Sequence, residues 1–124
     1  MADRSRRDAA LLLDMMLSAQ DAIGFVAGMS ETDFLGSLLH QSAAIRALEI
    51  IGEAAGKVSA ELQTAHPEIP WRDIIAMRHR LIHGYADIRL GDVWFVLTRE
   101  LTPLIAALQP LIPAPSPTPK DPTP

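Results

Sequence analysis

Arg78, His79, Arg80 and His83 fall within six residues, and Gly84 and the chain's only tyrosine, Tyr85, follow at once. No other stretch gathers so much polar chemistry. An unperturbed imidazole titrates at about pH 6.5, so it can take and return a proton near neutrality, as general acid–base catalysis requires. A guanidinium stays charged and can hold two phosphate oxygens at once. An arginine and a histidine without a carboxylate cluster suit attack of an RNA 2′-hydroxyl on the adjacent phosphate. The histidine moves the proton, the arginine stabilises the charge that builds on phosphorus, and no metal is required.

Helical spacing divides these groups. His79 and His83 are four apart and share a face. Arg78 and Tyr85 are seven apart and share one if the helix persists that far. Arg78 and His83 are about 140° apart round the axis, so either the reach of the arginine or a second subunit must complete their geometry. Other readings stay open. Arginine and histidine near a helix end are often solvated or paired with local acids, and Tyr85 could be a half-buried aromatic. His79 and His83 have a spacing found in zinc helices, but Arg80 stands where the strong His-Glu-x-x-His pattern has glutamate, and no third ligand is obvious, so no metal or cofactor is assigned.

The elements that must position these residues are all helical by pattern. A first helix is expected over 4–28, with Leu12, Met15, Met16, Ala19, Ile23, Val26 and Ala27 at three- and four-residue steps and Gly28 at its end. Gly24 within it costs about 1 kcal/mol against alanine, which suggests a place of close packing. Ser30 caps a short helical turn. A second long helix is expected over about 37–64, its small residues Gly52, Ala55 and Gly56 allowing a neighbouring backbone to come close. Pro67 and Pro70 bracket a loop, and a third helix from about 70 to 83 carries the polar cluster. Gly84 stops that helix, as a left-handed cap would. At His83 the helix macrodipole favours a positive charge. A fourth helix starts near Leu90 and is kinked or restarted at Thr102-Pro103. From Gln109 on, proline recurs at every second or third residue. The expected fold is an all-α antiparallel bundle of four to five helices over 1–108, with a Pro-rich flexible tail over 109–124.

The 124 residues suffice for one domain, and 48% of them are apolar, a surplus that points to burial against another chain. Mean hydropathy is +0.15. The net charge of −4 argues against a protein that coats nucleic acid in general. Residues 72–89 nevertheless hold four arginines (Arg72, Arg78, Arg80, Arg89) against Asp73 and Asp87, enough to attract a phosphate locally. The absence of cysteine excludes disulfides and thiolate metal sites. No apolar run reaches the roughly 18–20 residues of a membrane span, and the charged N-terminus lacks a signal-peptide pattern, so the cytoplasm is expected.

Arg78-x4-His83-x-Tyr85 resembles the Arg-x4-His-x-Tyr motif of the HepT-like branch of HEPN domains. The likeness extends to Arg46-Ala47-Leu48-Glu49-Ile50-Ile51-Gly52-Glu53-Ala54-Ala55, to Pro67-Glu68-Ile69-Pro70-Trp71-Arg72-Asp73-Ile74-Ile75 and to Val93-Trp94, covering about residues 8–108. It implies a helical bundle that forms a homodimer with two motifs facing across the interface. The implied activity is that of a metal-independent ribonuclease toxin in a type VII-like toxin–antitoxin system. The implied partner is an MntA-like minimal nucleotidyltransferase antitoxin that silences the toxin by transferring AMP to the motif tyrosine, here Tyr85. Carried over, Arg78 and His83 are the catalytic pair, with His79, Arg46, Glu49 and Glu53 in support. His79 departs from the asparagine common at its position but keeps hydrogen-bonding capacity. The alternative function is a non-catalytic HEPN-like binding partner of a nucleotidyltransferase.

Overall fold

The computed structural model describes residues 2–84 and 88–113, so the expectations for Tyr85, Asp87 and most of the tail lie outside the described residues. Among the described residues seven α-helices follow in order: α1 Ala2–Phe25, α2 Glu31–Leu35, α3 Leu38–Lys57, α4 Ala60–Ala65, α5 Trp71–His83, α6 Leu90–Phe95 and α7 Leu101–Leu108. A π-helical turn, Val96–Glu100, joins α6 to α7, and a short 3-10 turn, Gln109–Leu111, ends the described chain. No strand occurs among the described residues. The fold is an all-α bundle, as the sequence pattern requires.

Helices α1 and α3 form the largest contact, α5 lies on α3, and α7 lies on α1. The buried side of α1 follows the expected stripe at Leu12, Met15 and Ala19, which are fully enclosed, and adds Ala22, while Ala27, expected on it, lies past the helix end and is exposed. The stripe meets Ala44, Ala47, Leu48, Ile51 and Ala55 of α3 and Leu101, Leu104 and Leu108 of α7 in one apolar core. After α1, Gly28 takes φ +79°, a left-handed conformation that costs glycine little, and the chain turns. Ser30 then starts α2 with a reciprocal capping box: its Oγ accepts from the Asp33 amide, and the Asp33 carboxylate accepts from the Ser30 amide, each at 3.1 Å. That turn buries Phe34, whose ring lies 5.3 Å from Trp94.

Three expectations change and one, at Pro103, takes a specific form. The helix read over 37–64 is two helices. Val58 is extended and buried, and the Ser59 amide and hydroxyl donate to the Asp8 carboxylate at 2.9 and 2.6 Å. The Ser59 Oγ also accepts from the Leu62 amide, which starts α4. A serine offering this alternative competes with the helix backbone, and Gln63 donates to the freed carbonyls of Ala55 and Val58. The interruption expected at Thr102-Pro103 is present: the helix restarts at Leu101 after the π-helical turn, with Pro103 in the first turn of α7. The missing N–H of Pro103 is absorbed in the widened turn before it, where the Leu101 amide donates to Val96 five residues back. Gly24 is exposed, and a Cβ built there meets nothing within 4 Å, so it serves no close packing among the described residues. Gly84 ends α5 at φ −112°, outside the left-handed region. What demands glycine there is space, because a Cβ would sit 2.8 Å from the Arg80 carbonyl oxygen. Packing also runs past Leu108, since Leu111 and Ile112 lie against the core. No helix among the described residues is long and apolar enough to cross a membrane.

Candidate functional site

Helix α5 owes its position to both ends. Pro70 precedes it, the Trp71 indole donates to the His66 carbonyl at 3.0 Å, and Trp71 is buried. Leu81 anchors the last turn in the core. Between them Ile74 and Ile75 are half-buried on the side that meets α3, and the half-buried Arg78 follows on the same side. Gly56 stands opposite Ile75, and Gly52 opposite Arg78, so the two helices run antiparallel.

Their closest approach is at Gly52. A Cβ built there would be 2.4 Å from the Arg78 Cβ and 3.2 Å from both the Arg78 Cγ and the Ile74 carbonyl oxygen. The small-residue patch legible in the sequence therefore seats an arginine. That seat removes the Arg78 Nε from water, and among the described residues the Nε has no hydrogen-bond partner. An unsatisfied buried donor costs about 1–3 kcal/mol, more on a charged group, so its retention at the tightest helix contact calls for a reason.

The other members of the cluster lie elsewhere on α5. His79, Arg80 and His83 are exposed. The rings of His79 and His83 are 6.1 Å apart and within 20° of parallel. They continue a solvent-facing stripe, Arg72, Ala76, His79 and His83, at steps of four, three and four, a pattern the sequence reading passed over although the helical repeat reveals it. The structure thus brings Arg78 and His83 to one helix end but not to one face.

The supporting candidates on α3 pair among their own neighbours. Arg46 lies 3.9 Å from Glu49, and Glu53 lies 3.4 Å from Lys57. No ion pair joins any of them to Arg78, His79 or His83 among the described residues. At the far end of α5, Glu68 is held below the ordinary carboxylate range by a backbone hydrogen bond, with His66 at 3.1 Å adding to the effect. It is remote from the cluster. No group of three or more metal-binding side chains occurs among the described residues.

A family model described as "Ribonuclease HepT-like" matches residues 15–111, a span that includes the whole of α3 and α5. This chain belongs to the HepT-like ribonuclease family. A Methanocaldococcus jannaschii protein named "Putative RNase MJ1380" is 34% identical over 98 residues, covering 78% of this chain and 90% of that protein. A Thermococcus cleftensis protein named "Probable ribonuclease HepT" is 42% identical over 72 residues, covering 58% of this chain and 66% of its own length. A second M. jannaschii protein, "Putative RNase MJ0127", is 30% identical over 103 residues, covering 83% and 85%. No solved structure matches the chain. The HepT-like likeness is thus carried by sequence.

Proposed function

We propose that this chain is a metal-independent endoribonuclease toxin in which Arg78 and His83 form the catalytic pair. The observation that carries the reading is the buried Nε of Arg78, without a partner among the described residues, in a chain of this family. The terminal nitrogens of the same guanidinium are the groups that hold a phosphate oxygen in this reading, since the Nε itself is shut away from the surface. The His83 imidazole takes the 2′-hydroxyl proton, the 2′-oxygen attacks phosphorus, and the guanidinium stabilises the added negative charge. The 5′-oxygen leaves and gains a proton, giving a 2′,3′-cyclic phosphate and a 5′-hydroxyl end. A chelator should leave this cleavage intact.

Two copies complete the site in this reading, because Arg78 and His83 lie on different sides of α5. Exposed Leu38 and Leu39, at 76% and 75% accessibility, add apolar surface suited to an interface. Mixing Arg78→Ala chains with His83→Ala chains should restore cleavage if the pair acts across subunits. If the mixture stays inactive, the arginine reaches the histidine of its own chain. A monomer by light scattering at micromolar concentration would oppose the dimer.

The helical domain, taken as residues 1–108 with packing on to Ile112, then works as the toxin half of a toxin–antitoxin pair in the cytoplasm. A nucleotidyltransferase antitoxin adds AMP to Tyr85, two residues beyond His83, where a bulky anion would block the phosphate site. Expression of the chain alone should arrest bacterial growth, with cut RNA, and His83→Ala should relieve the arrest. Soluble wild-type protein without effect on growth or RNA would refute the toxin. Co-expression with a neighbouring nucleotidyltransferase should add the mass of one AMP, lost in Tyr85→Phe.

A non-catalytic binding role is the second reading, favoured by the pairing of Arg46, Glu49 and Glu53 away from the cluster. It predicts full nucleotidyltransferase binding by His83→Ala and no RNA cleavage by the wild type.

A further inference from the structure

We infer that His79 and His83 form a bidentate site for a transition-metal dication such as Zn²⁺, and that metal bound there shuts the catalytic site. The inference deepens the ribonuclease reading, since it assigns a means of regulation to the same histidine.

The geometry suits chelation. Two histidines four apart on an α-helix project side by side, and in metal helices this spacing sets two imidazole nitrogens on one zinc. Here the helix is regular through both residues, both side chains are exposed, and the rings are 6.1 Å apart and within 20° of parallel. Zinc–nitrogen bonds of about 2.0–2.1 Å at a near-tetrahedral angle place two imidazole centroids about 5 Å apart, so small side-chain rotations close the site. No backbone movement is needed. The neighbour on the same stripe, Ala76, is too small to obstruct, and among the described residues no third protein ligand joins the pair.

Charge sets the strength. His83 is the last residue of α5, where the macrodipole presents partial negative charge to a cation. Arg72 on the same stripe and Arg80 beside it oppose a dication. With two protein ligands rather than the three or four of dedicated zinc sites, micromolar affinity follows, which is a regulatory strength and not that of a resident cofactor. The consequence for catalysis is direct. A histidine nitrogen that holds zinc has no lone pair to accept a 2′-hydroxyl proton, and the metal sits where substrate must approach His83. Zinc is therefore an inhibitor in this account, and a chelator raises or preserves the rate.

Calorimetry of the chelator-stripped full chain with zinc chloride should show micromolar binding at one histidine pair per metal. His79→Ala and His83→Ala should each weaken it about tenfold or more, and the double variant should abolish it. Both sites are exposed and helical, where alanine favours the helix, and His79→Gln serves as a second variant that keeps a polar side chain. In RNA cleavage, each protein is compared with its own metal-free rate. Zinc should inhibit the wild type about tenfold, with reversal by chelator, and should change the His79→Ala rate less than twofold. No binding at hundreds of micromolar zinc, or undiminished binding by the double variant, overturns the site. Zinc bound at this pair with cleavage unaffected overturns the inhibition. Failure of every protein to cut RNA refutes the ribonuclease reading instead, while calorimetry still decides the site.

Discussion

Asp8 and Arg78 are both charged residues drawn against α3, and their surroundings differ in kind. Asp8 is 6% exposed, and its carboxylate accepts from both the amide and the hydroxyl of Ser59. Those two bonds clasp α1 to the turn after α3 and help end that helix. Arg78 crosses α3 at its tightest point and leaves a buried Nε without a partner among the described residues. A buried charge that is fully bonded strengthens a fold, whereas one left short of a bond weakens it. The first arrangement serves the fold, and the second goes with the catalytic role proposed for Arg78. Substitutions on the two sides of α3 should therefore separate stability from activity.

Arg78→Met should give the largest effect. Methionine keeps the unbranched stem against Gly52 and removes the unsatisfied donor. RNA cleavage should fall by about a hundred- to a thousandfold, the usual cost of losing one group that stabilises transition-state charge. Thermal stability should stay level or rise by about 1 kcal/mol. A large loss of stability with cleavage retained would reverse the contrast and make Arg78 a structural residue.

Gly52→Ala tests the seat itself. The new methyl group would overlap the Arg78 Cβ, which a rotamer change cannot move, so α5 must lift off α3. Overpacking of this kind costs about 1–3 kcal/mol, and cleavage should fall with it because the guanidinium shifts. Gly56→Ala is the control, since its Cβ would reach only the Ile75 Cγ1 at 4.0 Å. Denaturant melts of the two variants should differ by most of the Gly52 penalty.

Asp8→Ala addresses the other side. It leaves the Ser59 amide and hydroxyl without their acceptor and should cost about 1–3 kcal/mol. Cleavage measured well below the melting temperature should be unchanged, because nothing on α5 depends on that clasp.

The helices that form this frame were readable because their apolar spacing is regular. Leu12, Met15, Ala19 and Ala22 face inward as their period demands, and Ser30 announces a helix start. The break at Val58–Ser59 was hidden because its cause is Asp8, some fifty residues away in sequence. The same holds for Gly52 and Arg78: small residues predict a close approach, but not which side chain fills it. The types of Arg78 and His83 suggested acid–base chemistry on phosphate. Their 140° separation was equally legible, and one chain does not remove it. In the proposed mechanism what completes the pair is assembly, which one chain's periodicity does not encode.

Gly24→Ala carries the smallest effect and bears on that assembly. The residue lies near the end of α1, is exposed, and offers space for a methyl group. Alanine in place of an exposed helical glycine should stabilise the chain by about 0.5–1 kcal/mol. The neighbouring Leu17 and Phe25 are 47% and 43% exposed, so this stretch of α1 also presents apolar surface. If the gain appears at low protein concentration and persists at high concentration, the glycine is free of subunit contacts and the dimer forms elsewhere. If the gain disappears as concentration rises, the added methyl group opposes association, and Gly24 marks a place where a second chain comes close. The expected result is the persistent gain, with cleavage unchanged, because the catalytic proposal requires the partner at α5 and not at the end of α1. Unfolding followed over a range of protein concentrations decides between the two.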